Sequence, residues 1–240
     1  VAQAAPGPEP VALAVLQKAT GYASAELEAA VQGALNEHRL VRLGSGYLAA
    51  TAYHALLRAL NELAAGFHAQ YPLRAGIPRE ELRSRLGVKQ ATLQLLLDSQ
   101  SEVIPQGTAL RLAEHEIRFT PRQERAIAEA HARYAEAPYT PPSYAETAAI
   151  TGEDVLRALI ERGDLVQIAE DVLLSAGIYA EMTQGALAII DAEGTVSAKA
   201  LRDRFNTSRK YAIALLEYLD SQGITRRVGD ERVRGKNAPA

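Results

Sequence analysis

Cysteine and tryptophan are absent from the 240-residue sequence, and methionine occurs once, as Met182. Without cysteine there are no disulfides, thiolate metal sites, iron–sulfur clusters or thiol nucleophiles. A reducing compartment suits such a chain, and the expected location is the cytoplasm. Aromatic residues make up only 5%, so the core has to be built from Leu, Ala, Val and Ile. No apolar run approaches the roughly 18 residues of a membrane-spanning helix, and no basic segment followed by an apolar core opens the chain. Neither membrane contact nor a signal peptide is therefore expected. Starting at Val1, with its lone methionine so late, the sequence reads as the C-terminal piece of a longer protein.

Catalytic patterns are missing as well. The histidines, His38, His54, His68, His115 and His131, form no i, i+4 pair and no metal-ligand spacing, and no serine sits in G-x-S-x-G. Glu80 and Glu81 fall in the first turn of an expected helix, where acids are ordinary. No G-x-x-x-x-G-K-[ST] loop is present, so the chain should neither bind nor hydrolyse GTP. No cofactor, metal or enzymatic activity is expected of it.

The formal net charge of −3 conceals an asymmetry. Residues 1–194 carry 16 Lys and Arg against 24 Asp and Glu, whereas 195–240 carry 10 against 5. A basic end on an acidic body is the pattern of a localised polyanion site carried on a spacer.

One small module recurs: a short helix, a tight turn, a longer helix, a glycine-containing stop and an apolar strand pair. The clearest copy is TVSAKALRDRF (195–205), NTSRKYAIALLEYLDSQG (206–223) and ITRRVGDERV (224–233). Others run through 77–112 and 141–174, and a weaker one through 21–50, with matched second-helix points near Leu27, Leu82, Thr147 and Leu201. Over 208–222, Ala212, Leu215, Leu216 and Leu219 share one helical face, and Gly223 suits a left-handed stop. Thr151 and Thr207 are expected N-caps, and Pro121 a helix start. Ahead of each module an amphipathic helix is expected, near 9–19, 52–69, 121–136 and 179–192, and 137–143 reads as a connector. Helix, short helix, helix and hairpin in about 60 residues is the winged-helix plan. The expected fold is mainly α with small β-hairpin wings (α+β): four tandem winged helices in an elongated array, at 1–51, 52–119, 120–175 and 176–240.

The copies differ where a helix-turn-helix meets its target. The third module's long helix opens T-G-E-D, placing Glu153 and Asp154 where acids complement the helix dipole. The fourth opens T-S-R-K, and Arg209 and Lys210 there oppose the dipole by a few tenths to about 1 kcal/mol each. An anion held by the free N–H groups and both cations would offset that cost. The fourth wing carries Arg226, Arg227, Arg232 and Arg234, with Lys236 beyond, whereas QIAEDVL (167–173), PQGTAL (105–110) and GSG (44–46) have no arginine. A two-residue turn at Gly229-Asp230 would set Arg227 opposite Arg232, a like-charge pair. Ser197, Lys199 and Arg202 should lie near the same edge.

The run SRKYAIALLEYLDSQGITRRVGDERV (208–233) closely resembles the last winged-helix domain of the bacterial selenocysteine-specific elongation factors, the SelB family. Four consecutive winged helices are that family's C-terminal architecture, so the resemblance extends over the chain, less strongly by residue in the first three modules. It implies binding of the selenocysteine insertion element, an mRNA hairpin beside a UGA codon. It also implies the ribosome and the N-terminal GTPase and tRNA-binding domains of the same chain as partners, and a monomer. Because A-form RNA has a deep, narrow major groove, a winged helix should grip the loop end. Arg209, Lys210, Lys199 and Arg202 are then assigned mainly to phosphates, with Ser197 beside them. Arg226, Arg227 and Arg232, with the backbone of Val228, Gly229 and Asp230, are assigned to a splayed base, and Asn206, Thr207 and Ser208 supply uncharged donors. Asp230 reads first as a turn residue and Tyr211 as half-buried packing. Arg79, Arg83, Arg85 and Lys89 form a second cluster, expected to be solvated.

Two other classes compete. A tandem winged-helix DNA regulator needs long polar side chains in mid-helix for base edges, and the middle of 208–222 is A-I-A-L-L. A protein–protein scaffold leaves the T-S-R-K opening and the arginine wing unexplained.

Overall fold

The computed structural model describes residues 8–239, and the chain divides into two compact units, 1–118 and 119–240. In the first unit, β1 (Val11–Ala12), α1 (Leu13–Thr20) and α2 (Ser24–Asn36) precede the hairpin β2 (Leu40–Leu43) and β3 (Gly46–Ala49), in sheet order β1-β3-β2. Then come α3 (Ala50–Gln70), β4 (Ile77–Pro78), α4 (Arg79–Leu86), α5 (Gln90–Asp98), β5 (Val103–Gln106) and β6 (Ala109–Leu112), in order β4-β6-β5.

Laid beside the second module, the first begins one element later than its sequence suggested. The short strand β1 matches β4, α1 matches α4 and α2 matches α5. The helix expected near 9–19 therefore occupies the second-helix place. Leu27 lies in the third helix, and the counterpart of Leu82, four residues past the short strand, is Leu16. Glycines mark the correspondence: Gly21 ends α1 at φ 71° and Gly87 ends α4 at φ 67°, left-handed positions that a side chain would strain. No residue of α1 is buried.

The first hairpin is spent on packing. Its Leu43 and Leu48 join Leu60, Leu82, Leu93, Leu96 and Leu110 of the second module in one core. Glu9 reinforces the junction from outside, accepting from the Lys89 N–H (2.7 Å) and the Thr92 hydroxyl (2.5 Å) at the start of α5.

The second unit runs α6 (Pro121–Glu136), α7 (Tyr144–Thr151), α8 (Glu153–Arg162), β7 (Leu165–Ala169), β8 (Val172–Ser175), α9 (Ala176–Glu193), β9 (Val196–Ser197), α10 (Ala198–Phe205), α11 (Arg209–Ser221), β10 (Thr225–Val228) and β11 (Glu231–Arg234). Pro121 opens α6 behind a Thr120–Gln123 capping box, as its missing N–H allows. Residues 137–143 form the expected connector. The two threonine N-caps do not form. Thr151 ends α7, its hydroxyl donating to the Thr147 carbonyl, so Gly152 takes the cap position of α8. Thr207 lies one residue too early, buried, and donates to the Tyr139 carbonyl; Ser208 occupies the cap position of α11 and makes no side-chain capping bond. Helices dominate both units and the strands form small antiparallel sheets, β7-β8 and β10-β11-β9 in the second.

The third wing is buried like the first: Ile168, Val172 and Leu174 share a core with Leu201, Leu215, Leu216 and Leu219 of the fourth module. In that core α9 approaches α10 closely at Gly185, where an added Cβ would meet the Phe205 ring. Gly185→Ala should overpack the contact by about 1–3 kcal/mol, more than the helix-propensity gain of about 1 kcal/mol. Thermal denaturation should show a lowered midpoint, partly recovered by Phe205→Leu in the same chain. An unchanged midpoint refutes the close-packing account.

At the end of the first unit, the buried His68 ring stacks on His115 with centroids 3.5 Å apart. Its Nε2 accepts from the Leu112 N–H at 3.3 Å, and Arg111 donates to the carbonyls of Leu112, Ala113 and His115. Burial, then the neighbouring His115 and Arg111, push His68 down from 6.5 to about 4. The unfolded chain thus takes up a proton near pH 6.5 that the folded chain refuses until about 4, so stability falls as pH drops through that window. His68→Gln keeps an acceptor for Leu112 and removes the titration. It should shrink the loss of denaturant midpoint between about pH 7 and about pH 4.5; an equal loss in both proteins rules the histidine out as its source.

Candidate nucleic-acid interface

The wing β10–β11 carries four arginines, Arg226, Arg227, Arg232 and Arg234, against one, Arg111, in β5–β6 and none in β7–β8. Its register is the expected one, with Arg227 opposite Arg232 and Arg226 opposite Val233. Gly229, at φ 65°, supplies the left-handed residue at the first position of the turn.

The like-charge pair is resolved by sending the two side chains to different acids. Arg232 is buried, its side chain 5% exposed, and its Nε donates to Asp220 Oδ2 at 3.2 Å. The other oxygen of Asp220 accepts from the Thr225 hydroxyl at 2.6 Å. Arg227 stays exposed, its Nε donating to the Gly229 carbonyl at 2.8 Å and its guanidinium 3.6 Å from Asp230. Arg232, assigned from sequence to a splayed base, thus holds the wing to the last turn of α11.

A cleft of about 530 Å³ opens between α10, α11 and this wing. Of the residues singled out from sequence, Ser197, Lys199, Arg202, Arg209, Arg227, Asp230 and Arg232 line it. Ser197 caps α10 by accepting from the Ala200 N–H at 3.1 Å. Arg202 is paired with Asp203. Lys199 and Arg209 have no acidic partner among the described residues. The missing side-chain cap on α11 leaves its first-turn N–H groups without a side-chain acceptor beside Arg209.

The other expected residues lie elsewhere. Strand pleating puts Arg226 on the wing face opposite Arg227, away from the cleft. Val228 is exposed near the tip. Asn206 makes the left-handed turn from α10 to α11 at φ 48°. Thr207 and Lys210 face the third module, where Lys210 Nζ meets Asp171 at 3.1 Å. Tyr211 packs there half-buried, its hydroxyl donating to the Pro141 carbonyl at 2.5 Å. Burial pushes its phenol up. That flank of α11 is thus covered by the third module. Arg234 is also structural: it grips Asp191 of α9 through both carboxylate oxygens (2.7 and 2.8 Å) and holds that carboxyl below its usual range.

Besides Ala198 at the start of α10, two cleft residues of α11 were missed, Ile213 and Glu217. They follow Arg209 at i+4 and i+8, so the helical period that revealed the buried face also contained them. In the second module, Arg79, Arg83 and Arg85 engage Gln94, Glu80 and Glu81, in keeping with a solvated face. No helix among the described residues is long and apolar enough to cross a membrane.

Residues 188–234 and 60–102 each match a family model described as "Elongation factor SelB, winged helix", so parts of the fourth and second modules are similar to SelB winged helices. A curated relative, the selenocysteine-specific elongation factor of Desulfomicrobium baculatum, is 26% identical over 197 residues, covering 78% of this chain and 31% of the relative. The chain thus spans about a third of that relative. Two solved structures are similar. The mRNA-binding domain of elongation factor SelB from E. coli, in complex with SECIS RNA, is 25% identical, with 49% of this chain and all of that one covered at a TM-score of 0.42. A bacterial selenocysteine-specific elongation factor EF-Sec is 17% identical, with 82% and 32% covered at 0.43.

The two facing arginines should separate in their effects. Arg232→Ala leaves Asp220 without its partner and should destabilise the second unit by about 3 kcal/mol, whereas Arg227→Ala should leave the denaturation curve where it is. Equal effects on stability would contradict the division into a structural and a free arginine.

Proposed function

We propose that this chain, two of whose modules match SelB winged-helix models, is the mRNA-binding C-terminal part of a selenocysteine-specific elongation factor. In this reading the fourth module binds the loop end of an RNA hairpin, the selenocysteine insertion element, and so directs selenocysteine to UGA. The observation that carries it is the coincidence of one matched segment, 188–234, with the cationic cleft. The cleft suits a loop better than a duplex. Its cations are spread over α10, α11 and the wing, and the Lys210–Tyr211 flank of α11 is held by the third module. Lys199, Arg202, Arg209 and Arg227 take phosphates on either side of unstacked bases.

The first three modules serve as an acidic arm between the RNA reader and the GTPase and tRNA-binding domains of the full-length factor. Their charge discourages RNA contacts outside the cleft. The working form is a cytoplasmic monomer that meets the hairpin on the ribosome.

The test is binding of the whole chain to an RNA hairpin and to the DNA hairpin of the same sequence, titrated against salt. Four phosphate contacts predict a log–log slope of about −3, with RNA preferred. Arg209→Ala and Arg227→Ala should each weaken binding and make the slope shallower by about one contact. Equal binding of both hairpins, or a slope untouched by both variants, overturns the reading.

A further inference from the structure

We propose that the cleft takes one unstacked nucleotide lengthwise along α11, with its phosphate at Arg209, its base over Ile213 and the base's donor edge at Glu217. The proposal rests on the RNA-hairpin reading above and deepens it, by assigning base selection to a residue outside the arginine platform.

Arg209, Ile213 and Glu217 are spaced four apart on one face of α11 and line the same cleft. At 1.5 Å per residue, Arg209 and Glu217 stand about 12 Å apart along the axis, with Ile213 midway. The cleft is therefore graded from cation through an apolar step to anion. A nucleotide has the complementary order: an anionic phosphate, a flat apolar base face, and an edge of hydrogen-bonding groups.

Glu217 is the feature that a phosphate-only site does not account for. A carboxylate accepts hydrogen bonds and repels phosphate. The other acids of 195–240 do not compete for this place: Asp203 is committed to Arg202, Asp220 to Arg232 and Asp230 to Arg227, and Glu231 does not line the cleft. Glu217 is exposed and has no cation within ion-pair distance among the described residues, although Arg209 and Arg227 line the same cleft. It is the uncommitted acceptor of the site. A base offering amino or ring N–H donors satisfies it, and an edge of acceptors alone is turned away. With the phosphate held at Arg209, the carboxylate also sets polarity, because a reversed nucleotide would bring its phosphate against Glu217.

The experiment compares the whole chain and its Glu217→Gln variant on a pool of RNA hairpins with one stem and a randomised loop, sequencing the bound fraction. Wild type should prefer a donor-bearing base at one loop position. Glu217→Gln, which replaces one acceptor oxygen by a donor, should lose that preference and bind the favoured loop about 5- to 150-fold more weakly. Removing the base at that position should weaken wild type equally and the variant no further. Unchanged affinity and preference would show Glu217 to be merely solvated. Uniformly tighter binding to all loops would make it a simple repeller of RNA. Either result overturns the proposal and leaves the RNA reading intact. Failure of wild type to bind any hairpin overturns both. Melting curves of the two proteins should coincide, since Glu217 is exposed.

Discussion

Arg232 cannot be buried alone. Taking a guanidinium out of water costs several kcal/mol unless a carboxylate meets it, and the acid that does so, Asp220, is in the last turns of α11. Asp220 also accepts from Thr225, so both strands of the fourth wing are tied to one carboxylate. A slip of one residue in the β10–β11 register would exchange the faces of the wing and leave Asp220 without its cation. The buried pair thus decides which wing residues face α11, and hence that Arg227 lines the cleft while Arg226 does not.

The same fold is put to different uses by what meets the start of its long helix. Glu9 caps α5 from the neighbouring module. On α8, Glu153 is engaged by Tyr144 and Arg157, which hold its carboxyl below the usual range. On α11 there is no such acid, and Arg209 stands beside uncapped N–H groups. The wings divide in the same way. Those of the first and third modules bury apolar residues in the core of the module that follows, while the fourth keeps its tip exposed. The fourth module also packs on the third, but its Arg209 and the tip of its wing stay exposed beside the cleft.

Periodic features were legible in the sequence. The buried face of α11, the stop at Gly223, the start of α6 at Pro121 and the Arg227–Arg232 pairing follow from helix period, glycine and proline geometry and hairpin register. Features set by tertiary partners were hidden. Thr207 looked like a cap because nothing in the sequence shows the Tyr139 carbonyl beside it, and Lys210 looked free because Asp171 is 39 residues away. The first module was misplaced by one element because β1 is two residues long and is a strand only by pairing with β3. Arg226 and Arg227 read as one platform although pleating parts them. Ile213 and Glu217 are legible by helical period, at i+4 and i+8 from Arg209, although neither adds to the positive charge that marks the rest of the site.

Several cations of the fourth module are half-neutralised by nearby acids: Arg202 by Asp203, Arg227 by Asp230 and Lys210 by Asp171. For a surface meant only to attract RNA this is wasteful, because each pair weakens the phosphate attraction that dominates non-specific binding. For a surface meant to discriminate, it has a use. The Arg227 side chain, bonded to the Gly229 carbonyl and placed near Asp230, is held in one region of the cleft before any ligand arrives, so less of its freedom remains to be lost on binding. The acids also lower the attraction that any passing polyanion feels. What survives is attraction at fixed points, which favours an RNA whose phosphates and open bases fall where those points are.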